Sequence, residues 1–410
     1  MEESLSDESQ VRVLPKEGRR RRLAVRRLSQ PARTPAMDRH SEKMVRSTLG
    51  LGSLILLLAS PVSAADFVVT RYDDPVPNGC LATDCSLREA VIAAVGGANR
   101  VVLSAGTYQL TIVDTGGPGS NSGGLRVNGT LEIVGLGADL TRIDGTGVSE
   151  TILIGEGGQL NLTVRGIRFQ NSDEHGVMFL DGAALVEDCA FVDNGGAIFL
   201  GGGLVANNAM ESLDLRRSTI AGNTGDGLSV GAAAATIENI TSTGNGLLEL
   251  RTNSSVFSCN HCTLARGSGT GDVLRVGFTT AILSNSIVAG NCSFATNGAI
   301  DSAGGNVESA GNSCQFDQAS DLTGVASEDL ALGDLADNGG PTPTMAPAAG
   351  SIVLGAALDA LCAAEDQRGV IRDTDCESGA FEATDAPVPP RLFADGFEQG
   401  NPGAWSEVAP

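Results

Sequence analysis

The sequence predicts an all-β fold, a right-handed single-stranded parallel β-helix (a solenoid) with a short N-terminal capping helix. Three observations carry this: a repeat of about 22 residues between 162 and 291, apolar positions two apart within each copy, and 54 Gly against 4% aromatic residues. Close stacking with many tight turns requires that last balance.

The repeat comes first. Leu162-Thr-Val-Arg-Gly-Ile-Arg-Phe169, Leu213-Asp-Leu-Arg-Arg-Ser-Thr-Ile220 and Ala281-Ile-Leu-Ser-Asn-Ser-Ile-Val288 are three copies. The six copies end at Ser172, Asn194, Asn223, Asn245, Gly267 and Asn291, with spacings of 22, 29, 22, 22 and 24 residues. Val164, Val186, Leu215, Ile237, Cys259 and Leu283 form one column, and Phe169, Phe191, Ile220, Ser242, Leu264 and Val288 another. After each copy comes a short apolar run opened by Gly: Gly176 to Leu180, Gly196 to Leu200, Gly227 to Val230, Gly246 to Leu250. Runs this short, broken by Gly and Asn, are strands rather than helices. Stacked turns about 4.8 Å apart place like on like. The Asn column is expected at turns in the left-handed backbone region, with amides bonding up the stack. Val101 to Leu103, Leu131 to Val134 and Thr151 to Ile154 mark earlier, less regular coils.

An open coil needs caps. Ser86 with Glu89 three residues on is a capping box, and Leu87, Val91 and Val95 mark one helix face, so a short helix over the first coil is expected.

Composition divides the chain near residue 64. Residues 1–64 hold 12 of the 27 Lys+Arg and 7 of the 49 Asp+Glu, leaving 15 basic and 42 acidic residues and a formal charge of −27 beyond them. Lys16 and Lys43 are the only lysines. Such a surface is a poor partner for nucleic acid or anionic lipid. Met44-Val-Arg46, the apolar run Leu49 to Leu58 and Val62-Ser63-Ala64 read as a secretory signal cleaved after Ala64, too short to span a bilayer. Residues 1–43 are then a basic extension or, as preferred here, an upstream misreading of a start at Met44. The expected product is a secreted or cell-surface monomer.

Cys85-Ser-Leu-Arg-Glu-Ala90 resembles the motif that names the CSLREA domain found before bacterial β-helices. Residues 334–381 resemble the tail of the choice-of-anchor Q domain, through Asp337-Asn-Gly-Gly-Pro-Thr-Pro-Thr-Met345, Asp366-Gln-Arg-Gly369 and Cys376-Glu-Ser-Gly-Ala-Phe-Glu382. The chain departs from that pattern at Gly350-Ser-Ile-Val-Leu-Gly355, where the family has Gly-Ser-Pro-Ala-Ile-Asp. Gly135 to Gly145 resembles a turn segment of pectin-lyase-like β-helices, and Leu392 to Ser406 a terminal motif of similar secreted proteins. The resemblance implies export and a β-helix, with no established reaction. It divides the chain into 1–43, the signal 44–64, an N-terminal cap 65–97, coils 98–333, a C-terminal segment 334–383, a linker 384–391 and a terminal motif 392–410. With the spacing, it implies disulfides Cys80–Cys85, Cys292–Cys314 and Cys362–Cys376. Cys189, Cys259 and Cys262 are left over. Cys259 stands in an inward column, which makes a buried thiol its first reading, while Cys259-x-x-Cys262 also suits a tight disulfide. Zinc lacks a second ligand pair apart from His261.

A catalytic reading needs carboxylates gathered on one face. The outward column Arg165, Glu187, Arg216, Glu238, Asn260, Ser284 alternates in sign, which cross-strand ion pairing explains without a substrate. The next column is Gly166, Asp188, Arg217, Asn239, His261, Asn285. Asp188, Glu187, Arg217 and Glu238 are the candidate acid/base cluster. No polygalacturonase-like Arg-x-Lys pair exists, and His175 and His261 read as solvated turn or ladder residues rather than triad members. The Gly clusters at 115–119 and 201–203 do not open helices, so they are not phosphate loops. Acidic Asp317 to Asp321 offers a weak Ca²⁺ site, and no other cofactor is expected. Trp405, Tyr72 and Tyr108 leave little for stacking on sugars. A structural, adhesive or binding role is therefore expected over a polysaccharide lyase or glycosidase, with an extracellular polysaccharide or cell-surface component as partner.

Overall fold

The computed structural model describes residues 64–114, 122–146, 148, 150–195, 202–266 and 271–384. The basic extension, the signal before Ala64, the linker beyond Thr384 and the terminal motif lie outside them.

The repeat becomes a coil with three strands per turn, each turn visiting three parallel sheets. Sheet 1 holds ten described strands from Asp66–Val68 to Ala299–Gly304, and sheet 2 ten from Gly106–Gln109 to Leu322–Val325. Sheet 3 holds eight, from Leu125–Val127 to Asn291–Phe294. Side chains alternate in and out, so Gly182–Glu187 reads buried, half-buried throughout. The column from Val164 to Leu283 is in register in sheet 1. The column from Phe169 to Val288 is in register in sheet 2. Both fill one continuous core, in which the Phe169 and Phe191 rings stack at 5.6 Å.

Two strand positions differ from the sequence reading. Sheet 3 pairs Val177–Phe179 with Leu204–Ala206 and then Leu228–Val230, so Leu204–Ala206 takes the place expected of Gly196 to Leu200, which lies outside the described residues. The 29-residue spacing is thus an insertion between sheets 2 and 3. The next strand is Leu250–Thr252 rather than Gly246 to Leu250. Leu250 must face inward between Leu228 and Leu274, and the preceding Glu249 is turned into the core.

The Asn column bonds up the stack as expected, but its backbone is not the left-handed one. That conformation falls one residue earlier, at Asn171, Asp193, Gly222, Gly244 and Gly290, where φ is 58°, 56°, 66°, 71° and 147°. The side chains of Asn194, Asn223 and Asn245 point inward instead. Asn194 Nδ2 donates to Asn223 Oδ1 at 3.0 Å and Asn223 Nδ2 to Asn245 Oδ1 at 2.8 Å. Each also donates to a core carbonyl, of Phe169, Phe191 and Ile220 in turn. Buried amides require such partners.

At the N-terminus, α1 (Leu87–Ala94) starts with the Ser86–Glu89 capping box. Arg88 makes a buried two-pronged pair with Asp74 at 2.7 and 2.8 Å, so both are structural. The segment 65–97 is more than a cap, because Asp66–Val68 pairs with Asn99–Val102 as the first strand of sheet 1. The coil ends near Val325, followed by α2 (Ser327–Leu330) and an antiparallel pair, Leu332–Ala336 with Thr344–Pro347. Among the described residues no helix is long and apolar enough to cross a membrane.

Candidate functional site

The corner between sheets 1 and 2 needs one left-handed residue per coil. Gly166, Asp188, Arg217, Asn239, His261 and Asn285 supply it, with φ between 44° and 64°. This is the second outward column of the sequence, and the candidate acids stand at its start.

Arg217 Nε donates to Asp188 Oδ1 at 2.8 Å, and its Nη2 lies 2.9 Å from Glu187 Oε1. Glu187 also pairs with Arg165 Nε at 3.0 Å, and Arg165 Nη1 reaches Glu132 Oε1 at 3.0 Å. Glu132, Arg165, Glu187, Arg217 and Asp188 therefore form one chain of alternating charge across three coil steps. Burial is the largest influence on Arg217 and opposes its charge. The bond to Asp188 and the nearby charges of Asp188, Glu187 and Glu365 outweigh it and hold the guanidinium above its ordinary pKa. Glu238 does not join. Arg216, its neighbour in register, turns along its own strand to Asp214. Carboxylates held this way brace the corner through charge-assisted contacts.

The rest of the column is not a solvent-facing row, and this corrects the sequence reading. Residues 337–383 fold back across it. Thr342 Oγ1 donates to Arg217 O at 3.1 Å, and Arg372 Nη2 to Asn239 Oδ1 at 3.0 Å. His261 Nδ1 lies 3.2 Å from Gly379 O, while its Nε2 accepts from Ala363 N at 3.3 Å. Asn285 Oδ1 accepts from Leu358 N at 2.7 Å. On the adjoining face of sheet 2, Gln367 bridges Thr219 and Thr241 at 2.8 and 2.7 Å, and Ala380 N donates to Thr263 Oγ1 at 3.0 Å. Within the segment, Arg368 pairs with Asp366 at 2.7 Å and Arg372 with Glu382 at 3.0 Å. Burial, then Glu382 beside it, pushes Glu377 up to about 8.

His175 and His261 are both buried rather than solvated. Burial lowers His175 to about 4, and burial with the Arg372 charge lowers His261 to about 3, so both are neutral at physiological pH. The three implied disulfides are present, and Cys259–Cys262 is a fourth, which replaces the buried thiol first read at Cys259. Cys362 and Cys376 come near His261, but their sulfurs are joined to each other. Cys189 is a free buried thiol, pushed up by burial to about 12 and so unreactive. Asp321 accepts from Asn306 N and Gln318 N, both at 2.9 Å, and from Ser302 Oγ at 2.6 Å, so protein donors surround it.

Two surface features remain. A groove of about 750 Å³ lies on the outer face of sheet 1 over the first coils, lined by Asp66, Arg100, Glu132, Asn161, Thr163 and Arg165. The other is Phe278, 69% exposed in a left-handed conformation at φ 59°. The sequence reading passed over it by counting only Trp and Tyr. A signal was present: by register, Phe278 stands where the two preceding coils have Ser254 and Ala232. A bulky side chain with positive φ costs about 1 kcal/mol or more, and nothing in the core repays it here.

Among solved structures, pectate lyase Pel9A is similar over 79% of this chain and 98% of its own, at 14% identity and a TM-score of 0.41. The A-module of mannuronan C-5 epimerase AlgE6 from Azotobacter vinelandii is similar over 55% and 76%, at 17% identity and a TM-score of 0.27. No curated protein matches the chain. Residues 150–318 match the family model described as the right handed beta helix region, in agreement with the stacked sheets: the described chain is a right-handed parallel β-helix.

Proposed function

We propose that this protein is an exported, monomeric binding or adhesive scaffold that holds an extracellular polysaccharide or cell-surface component without cleaving it. The observation that carries this reading is the engagement of Glu187 and Asp188 by Arg165 and Arg217, which ties two of the three candidate acids into ion pairs. Four disulfides among the described residues support an oxidising compartment, alongside the signal-like segment before Ala64. The groove on sheet 1 and the exposed Phe278 are surfaces on which such a ligand can lie. The resemblance to CSLREA and choice-of-anchor Q proteins supports surface retention through the terminal motif 392–410.

The test offers residues 65–410 acidic and neutral polysaccharides, with and without Ca²⁺, and records retention and product release together. Retention without products is expected. Product release that disappears in Asp188→Ala would instead establish a pectin-lyase-like enzyme, a lyase or glycosidase, with its site at this corner.

A further inference from the structure

On the outer face of sheet 2, before the C-terminal segment begins to cover it, two arginines lie in register one coil apart, Arg142 beside Arg168. Like charges directly opposite each other in a sheet are destabilising. Several described arginines pair with a carboxylate within about 3 Å, as at Arg165 and Arg217. Arg168 does not. Its guanidinium makes no hydrogen bond among the described residues, its buried Nε has no partner, and the nearest carboxylate, on the well-exposed Asp193, is 4.0 Å away. Arg142 is held in place by donating to the backbone carbonyl of Asp139 at 2.7 Å. On the next coil Arg168 is flanked in register by the small, buried Ala190. A guanidinium with an unfilled fork matches an oxyanion in shape and charge.

The neighbours add acceptors. Asp144 draws the side-chain amide of Gln109 at 3.2 Å and that of Gln170 at 2.8 Å. Both amide groups are thereby turned so that their carbonyl oxygens are left without a hydrogen-bond partner among the described residues. An oxyanion on Arg168 thus sits beside acceptors suited to hydroxyl donors, the combination presented by an acidic sugar. The strongly acidic chain, with a formal charge of −22, repels a polyanion at longer range. The matching ligand is therefore one acidic residue in an otherwise neutral glycan.

We infer that Arg142 and Arg168 form a binding site on sheet 2 for the carboxylate or sulfate group of a single acidic sugar. The site rests on the reading of the protein as a glycan-binding scaffold and specifies one of its contacts. It lies away from the ion-paired corner and from the groove on sheet 1.

The experiment titrates the exported chain with glucuronate, glucose 6-sulfate and glucose, following ligand-observed NMR and thermal unfolding. Wild type is expected to bind at least one of the two anionic sugars and not glucose. Arg168→Leu should weaken that binding at least tenfold and Arg168→Lys, which keeps charge but loses the fork, by a smaller factor. Whichever anion binds identifies the group as carboxylate or sulfate. Arg168→Leu should also unfold at an equal or higher temperature than wild type without ligand, because a like-charge contact is removed, so lost binding is not lost folding. Anionic sugars binding equally to wild type and Arg168→Leu would overturn the site while leaving polysaccharide retention intact. Failure of wild type to bind either anion would overturn it as well. The retention assay above independently decides whether the protein binds glycans at all.

Discussion

At the residue scale, what separates core from surface here is where polar groups find partners. Glu249 is buried at the end of the Asn ladder, accepting from Ser242 Oγ at 3.1 Å and Asn245 N at 3.2 Å. Burial, partly offset by these bonds, pushes it from 4.5 up to about 7. The unfolded chain therefore ionises first, and stability present below about pH 4.5 is lost as the pH rises through about 7. Glu249→Gln should flatten that decline and be the more stable form at pH 8, as read by urea unfolding across the pH range. An unchanged slope would mean that Glu249 reaches water. Phe278 poses the opposite case, a side chain with no packing role. Phe278→Gly relieves its left-handed backbone and should raise stability by about 1 kcal/mol while weakening glycan retention. A loss of stability would assign Phe278 to packing after all.

At the scale of elements, the sequence spoke clearly wherever a repeated position has one chemical demand. Val164 to Leu283 and Phe169 to Val288 alternate because each coil must turn the same residues inward, so the strands, their columns and the Ser86 cap are legible from period and spacing alone. The strands of sheet 3 were less so. Gly196 to Leu200, outside the described residues, has a strand-like pattern, and the register of Leu204 with Val177 shows where the described chain re-enters the sheet. The C-terminal segment was recognisable by its motifs, but its docking was not. Its contacts with Thr219, Thr241 and Thr263 are hydrogen bonds spanning more than 100 residues, which leave no periodic trace. Thr in that outward column reads as ordinary strand propensity. Gln367 is the hub of the docking, bonded to Thr219, Thr241, Thr342 and Pro343. Gln367→Ala should loosen residues 337–383 by roughly 2 kcal/mol while leaving the coils folded, seen as a new low-temperature unfolding step. A single unaltered transition would assign the docking energy elsewhere.

At the scale of the whole molecule, a solenoid ordinarily gains stability from each repeat and its nearest neighbours. Here a second strap runs lengthwise, from Arg217 to Asn285, and ties successive coils to one segment. The same strap turns the later part of the corner row, from Arg217 to Asn285, into an internal interface. Leu358, Ala363, Gly379 and Ala380 donate their backbone N–H groups to Asn285, His261, Asn285 and Thr263 of the coils, which protects them only while the strap is docked. Amide hydrogen exchange over 355–381 therefore tests the central claim most directly. Exchange as slow as in the core strands, and released together by Gln367→Ala, is the result expected. Rapid exchange of these four amides in the native chain would show the row open to solvent and contradict the account.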